Sequence, residues 1–213
     1  FKHMIKLAPE GYPFILVFGA LTVAAFFLPW RVAVVPPLVL TLFMVYFFRD
    51  PERQIPKEDG YISPADGRVI VVKKIYEKEF LKKDALLISI FMSPLDVHVN
   101  RAPCDGRVEA VRHTSGSFKK AFLEEAFLKN ENTAMLLECG GEKVLVRQVA
   151  GFLARRTVCR VKPGDNLKRG ERYGMIKFSS RLDIYLPDDV NVKVKIDGRV
   201  KAGETILAVK APK

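Results

Sequence analysis

The sequence is poor in the side chains that hold metals. Its 213 residues include three histidines and three cysteines, and Cys104, Cys139 and Cys159 stand far apart with no CxxC pair among them. No second histidine lies near His98, so Asp96 and His98 cannot complete a tetrahedral site and no metal is expected. An odd cysteine count excludes a complete set of intrachain disulfides, which makes a reducing compartment the simpler reading. No small-residue cleavage site sets the apolar N-terminal stretch apart, which argues against a cleavable signal peptide. Helix-turn-helix, zinc-finger and RNP-type aromatic motifs are all missing, so the net charge of +11 does not point to nucleic acid. It suits an anionic membrane surface or a charged small substrate instead.

Charge is itself scarce in one long stretch. From Phe14 to Phe48, "FILVFGALTVAAFFLPWRVAVVPPLVLTLFMVYFF", the only charged residue is Arg31. Splitting the stretch at "LPWR" leaves two apolar runs of about 15 and 17 residues. At ~1.5 Å per residue these cover about 22–26 Å, a little short of a ~30 Å hydrocarbon core. The expectation is a helical membrane hairpin over residues 5–50, barely spanning or re-entrant, with Pro36-Pro37 bending its second leg. A buried pair of hydrophobic helices is the alternative. Lys6 ahead of the hairpin, with Arg49, Arg53 and Lys57 behind it, places both ends on the cytoplasmic side of the cell membrane, against anionic headgroups. The first four residues, "FKHM", read as a cloning remnant ahead of a natural start at Met4, which sets His3 aside.

Residues 51–213 read as one β-rich domain. Short β-branched runs recur, among them "GRVIVVKKI", "ALLISIFM", "TAMLLECG", "KVLVRQVAG", "RLDIYLP" and "NVKVKI", separated by Gly, Pro and Asp turns. Gly140-Gly141 marks a hairpin turn. One internal helix is expected at Phe118–Lys129, where Phe118, Ala121, Phe122, Ala126 and Phe127 share a face. "DGRV" occurs at Asp66, Asp105 and Asp197, each time opening a strand, and Asp-Gly is first of all turn chemistry. The strand, Gly-turn, strand rhythm of the C-terminal part is that of lipoyl- or biotinyl-type barrels. The fold class is therefore α+β, mainly β: a small barrel or sandwich preceded by the helical hairpin.

Few residues stand out as chemistry. In "SPLDVHVNRAPCDG", Asp96, His98 and Asn100 alternate, so an extended backbone puts them on one face. A histidine so flanked could be a general base, a ligand or a hydrogen-bonded sheet residue. His113 heads "HTSGSFKKAF", where Ser115 or Ser117 suits a helix cap. "ARR" presents Arg155 and Arg156, a pair suited to phosphate. In "KFSSRLDIYLP", Ser179 and Ser180 sit at the mouth of a strand in which Leu182, Ile184 and Leu186 alternate with Asp183 and Tyr185. Asp66, His98 and Ser180 supply the materials of an Asp-His-Ser triad, a set most chains of this length can offer.

Taken in order, "SPADGRV", "FMSPLDVHVNRAPCDG", "QVAGFLARRTVCRVKPGD", "KRGERYGMIKF" and "SSRLDIYLP" resemble the phosphatidylserine decarboxylase family in its short bacterial and archaeal form. The resemblance covers most of residues 10–210. It implies a proenzyme in which a serine hydroxyl attacks the preceding peptide carbonyl and the resulting ester is cut by β-elimination. By similarity the serine is Ser180, so the bond cut is 179–180, giving a β subunit of residues 1–179 and an α subunit of 180–213. The cofactor is then a covalent pyruvoyl group derived from Ser180, with no metal. The same resemblance implies that Asp66 orients His98 and that His98 takes the serine proton and later acts as an acid. It makes phosphatidylserine, or a related serine phospholipid, the substrate and phosphatidylethanolamine the product. Arg155, Arg156, His113 and Phe118 become the candidate substrate contacts. A homo-oligomer is compatible with this reading.

One position departs from the family pattern. Where the family has Gly before the cleaved serine, this chain has Ser179. A side chain there removes backbone freedom that the attack needs, so a slow or stalled proenzyme is expected. Two other classes fit part of the sequence: a membrane-anchored Asp-His-Ser hydrolase, which lacks a G-x-S-x-G elbow, and a catalytically inactive membrane-binding module. A lipoyl-type carrier lacks its modified lysine at a hairpin tip.

Overall fold

A computed structural model describes residues 6–116, 130–151, 156–177 and 180–211. The expected helix at 118–129, and with it Phe118, lies outside the described residues, as do Arg155 and Ser179. The chain divides into two compact units, residues 1–52 and 53–213.

The first unit is a helical hairpin. Strand β1 (Lys6–Leu7) is followed by α1 (Tyr12–Ala25), α2 (Val35–Phe47) and β2 (Arg49–Asp50). The apolar stretch breaks where expected, between Phe26 and Trp30, and resumes as a 3-10 turn over Arg31–Val34. Pro36-Pro37 do not bend the second leg. They lie in the first turn of α2, where proline's missing N–H has no partner to lose and its φ suits the helix. The base is closed by antiparallel pairing of β1 with β2, by Ala8 N–H donating to the Phe48 carbonyl at 2.8 Å, and by Phe14 stacked on Phe48 at 5.5 Å. Halfway up, the hydroxyls of Thr22 and Thr41 meet at 3.2 Å. Among the described residues no helix is long and apolar enough by itself to cross a membrane.

The second unit is built from short antiparallel strands. In chain order they are β3 (Tyr61–Ile62), β4 (Gly67–Glu77), β5 (Lys83–Met92), β6 (Val99–Arg101), β7 (Gly106–Thr114), β8 (Asn132–Cys139) and β9 (Glu142–Ala150). Then come β10 (Thr157–Cys159), β11 (Asn166–Leu167), β12 (Arg172–Ile176), β13 (Ser180–Pro187), β14 (Asn191–Val192), β15 (Arg199–Val200) and β16 (Ile206–Val209). The main sheet runs β11-β7-β8-β9-β13-β5-β4-β15, and two three-stranded sheets, β10-β12-β6 and β14-β16-β3, complete the unit. The principal core joins one face of the main sheet (Val69, Ile88, Ile90, Val146, Leu182, Ile184) to side chains of the small sheets such as Tyr173, Ile176 and Leu207. A smaller cluster on the other face gathers Leu87, Leu136, Leu145 and Tyr185 under Phe80 and Leu81.

Turn chemistry behaves as the sequence suggests. Gly140 and Gly141 take φ of 61° and 86° between β8 and β9, a conformation glycine adopts without strain. At the first "DGRV", a Cβ on Gly67 would run into the Phe91 carbonyl, so glycine there permits β4 to close on β5. "NVKVKI" keeps only two strand residues: Lys193 N–H still reaches the Leu207 carbonyl, and the chain then turns, Gly198 N–H donating to Lys195. Cys104 and Cys139 form a disulfide that ties the approach to β7 to the end of β8, leaving Cys159 free. An odd count excludes a complete set, and the fold holds one pair and one free thiol. Spacing along the chain did not reveal that positions 35 residues apart face each other across one strand pair.

Candidate active site

Ser180 opens β13, the strand flanked by β9 and β5 near the middle of the main sheet. It faces Ala150 on one side and Met92 on the other, is fully buried, and its Oγ lies 3.4 Å from the Met92 sulfur. This is an apolar setting for a hydroxyl. The strand read in "RLDIYLP" is present, and every residue of β13 is buried. Leu182, Ile184 and Leu186 enter the principal core, Tyr185 enters the second cluster, and Arg181 pairs with Asp183 at 3.0 Å.

His98 lies just before β6, with no exposed surface. Its Nδ1 is 2.9 Å from the Asp96 carbonyl oxygen. A carbonyl only accepts, so Nδ1 carries the proton in that bond and Nε2 is the basic nitrogen. The His98 carbonyl in turn accepts from Ile176 N–H at 3.3 Å, and Ile176 ends β12, four residues before Ser180. On its other side, β5 ends at Met92 against Ser180, and a turn over 93–96 leads to His98. His98 thus lies between the turn that leaves β5 and the end of β12, the strand that precedes Ser180 in the chain.

That turn changes the expected face of Asp96, His98 and Asn100. The extended segment begins only at Val99, and the Asp96 carboxylate accepts from Ser93 N–H at 2.8 Å and from Arg199 at 2.9 Å. Asn100 is buried, and its Oδ1 accepts from Gln148 Nε2 at 2.8 Å. Gln148 also approaches the carbonyls of Val158 (3.2 Å) and Met175 (3.4 Å), joining β9 to β6, β10 and β12 beneath the site.

Asp66 ends the turn between β3 and β4. Both carboxylate oxygens accept from Arg53 Nη2, at 3.0 and 2.8 Å, and Oδ1 also accepts from Ala202 N–H at 2.7 Å. Burial raises Asp66 above the ordinary carboxylate range, with the Arg53 charge opposing it. Arg53 is itself buried, its side chain 7% exposed, so it is not a lipid-facing charge as its position after the hairpin suggested. The Asp66 turn abuts β6, the Pro64 carbonyl accepting from Arg101 N–H at 3.0 Å, but the hydrogen bonds of Asp66 run to Arg53 and Ala202. Asp105 and Asp197 are exposed turn residues: Asp105 accepts from Arg169 N–H, and Asp197 takes a φ of 67°.

The remaining candidates are more scattered. His113, exposed on β7, bonds Thr133 through Nδ1 at 3.1 Å, and Thr133 meets Thr157 at 2.7 Å. It lies three strands from β13, about 14 Å along the sheet. Arg156 is exposed, and its carbonyl accepts from Lys177 N–H at 3.3 Å on the approach to Ser180. Among the described residues no group of His, Cys, Asp or Glu could hold a metal ion.

A family model described as phosphatidylserine decarboxylase matches residues 40–208. A phosphatidylserine decarboxylase proenzyme of Syntrophotalea carbinolica is 47% identical over 203 residues, covering 94% of this chain and 95% of the relative. Proenzymes of the same name from Geotalea uraniireducens and Syntrophus aciditrophicus are 46% and 43% identical over 205 and 209 residues. They cover 95% and 97% of this chain, and 96% and 98% of their own lengths.

Proposed function

The chain belongs to the phosphatidylserine decarboxylase family, pyruvoyl-dependent carboxy-lyases made as proenzymes, and from that membership we propose that Ser180 is the residue that becomes its pyruvoyl group. The observation that supports the proposal is the setting of Ser180: buried at the start of β13 against Met92, the last residue of β5, from which a turn leads to His98. In processing, Ser180 Oγ attacks the carbonyl carbon of residue 179, and its proton passes to His98 Nε2. Nε2 can accept because the Nδ1 proton is committed to the Asp96 carbonyl. The peptide C–N bond breaks as the C–O bond forms, giving an ester. β-Elimination then leaves residues 1–179 ending in a carboxylate, and hydration with loss of ammonia leaves a pyruvoyl group at 180.

Once formed, that group supplies an electron sink for loss of CO2 from a serine-bearing phospholipid. The residues around Ser180 suit it. Met92 and Ala150 give the position apolar neighbours on both adjoining strands. In this reading His98 is the acid that returns a proton. Asp66, paired with Arg53, contributes negative charge at the turn that abuts β6. Arg156, exposed beside Lys177, is the candidate for the headgroup phosphate. Phosphatidylserine is then the substrate and phosphatidylethanolamine the product. Residues 5–50 hold the enzyme on its lipid substrate, and the basic flanks of the hairpin put the catalytic domain, 51–213, on the cytoplasmic side of the cell membrane.

Ser179 stands where the family pattern has Gly, so the chain as it stands processes slowly or not at all. Intact mass before and after long incubation at neutral pH tests this in the parent and in Ser179→Gly. The parent should stay whole, while Ser179→Gly should release residues 180–213 with a blocked N-terminus, and Ser180→Ala in that background should abolish the cut. A Ser179→Gly protein that never cleaves overturns the self-processing reading, and a cut before another serine moves the site.

A further inference from the structure

The hairpin carries aromatic and basic side chains at both of its ends and almost nothing polar between them. At the base, Tyr12 and Tyr46 are about half exposed, and the Arg49 guanidinium lies 3.8 Å from the Tyr46 ring centroid. At the tip, Trp30 is 73% exposed, and Arg31 beside it is exposed as well. Aromatic rings next to cations are the side chains that settle at a membrane–water interface, and here there are two such levels.

Their separation is close to a bilayer's. Arg31 to Tyr46 runs through one 3-10 turn at about 2.0 Å per residue and then α2 at about 1.5 Å, roughly 26 Å in all. The shortfall against a ~30 Å core is small enough for local thinning and for the long Arg31 side chain to reach the headgroups. Neither helix alone has spanning length; it is each helix together with its share of the tip that covers the distance.

The side chains in between suit lipid on every side. Leu38, Val39 and Leu40 are successive positions, spread around α2, and all three are exposed. Leu16 and Val17 do the same on α1. The two polar groups at mid-height are satisfied inside the hairpin: Thr22 donates to the Phe18 carbonyl and Thr41 to Pro37, both at 2.8 Å. A helix lying flat in the interface needs a polar face, which neither helix has. A hairpin dipping only to mid-depth would leave Arg31 at the centre of the hydrocarbon.

We propose that the hairpin crosses the bilayer, with Trp30 and Arg31 anchored at one interface and Tyr12, Tyr46 and Arg49 at the other. This rests on the membrane reading above, and the test separates the two. Trp30 is the only tryptophan in the chain, so its fluorescence reports the tip alone. The full chain is reconstituted in phosphatidylethanolamine–phosphatidylglycerol vesicles carrying a nitroxide either at the headgroup or in mid-chain. A second protein, Trp30→Phe with Val23→Trp, moves the reporter to mid-height. For a crossing hairpin the quenching preference inverts: headgroup nitroxide quenches Trp30 more strongly, and mid-chain nitroxide quenches the Val23→Trp reporter more strongly. Strongest mid-chain quenching at Trp30 would show a re-entrant loop, and headgroup quenching at both positions would show a flat one. Either overturns the crossing but leaves membrane binding intact. Quenching at neither position overturns both.

Discussion

At the scale of single residues, Asp66 shows how context sets a role. Its carboxylate shares a buried clasp with Arg53 and the Ala202 N–H. A carboxyl whose native pKa is raised binds its proton more tightly in the folded state than in the unfolded one. It therefore favours folding below the unfolded carboxylate pKa, and that contribution is lost as pH rises through the native value. Arg53→Met removes the positive charge that opposes the rise. We expect it to cost about 3–5 kcal/mol at neutral pH, the penalty of stranding a buried charge, and much less at acid pH. Thermal unfolding across pH checks this, and adding Asp66→Asn to Arg53→Met should flatten the pH dependence. The sequence marked Asp66 and His98 but could not show this clasp. An arginine after an apolar hairpin looks like a lipid-facing charge, and only the fold buries it. Gln148 gave no signal either, because its partners come from three strands far apart in the chain.

Among the elements, β13 goes furthest beyond its pattern. Alternation marks it as a strand, and the fold adds what alternation does not show: β13 has neighbours on both edges and packed side chains on both faces. Asp183 is then fully buried and depends on Arg181, with Arg147 opposite it on β9. Asp183→Ala should destabilise the protein by about 3–5 kcal/mol in urea unfolding, since it removes one partner of a buried ion pair. Replacing both partners with apolar residues, Arg181→Met with Asp183→Leu, should cost far less. Equal losses for the single and double variants would refute the pairing. Pro36-Pro37 teach a similar lesson: inside an apolar run they read as a bend, but in the first turn of α2 they are a start.

For the whole molecule, the strand order decides what processing leaves behind. Residues 180–213 are not an appendage. β13 pairs with β5 along all eight of its residues and with β9 along six, β15 pairs with β4, and β16 joins β3. A cleaved Ser179→Gly protein should therefore elute as a single species in native size exclusion and separate into two only in denaturant. Release of the 180–213 piece under native conditions would contradict this sheet order. Cleavage at the mouth of β13 breaks one covalent bond and leaves the ladders on both of its edges in place.

The local facts were legible in the chain alone: an apolar hairpin broken near Trp30, β-branched strands punctuated by Gly and Asp turns, and motif order specific enough to identify the family. These depend on neighbours along the chain, where periodicity and turn chemistry act. The tertiary structure alone decided the rest: the burial of Arg53 against Asp66, the carbonyl of Asp96 that sets the His98 tautomer, the Cys104–Cys139 bond and the two-faced burial of β13. Each of these is a meeting of residues that the antiparallel sheets bring together, and desolvation at such meetings depends on what lies opposite rather than on what lies next in the chain.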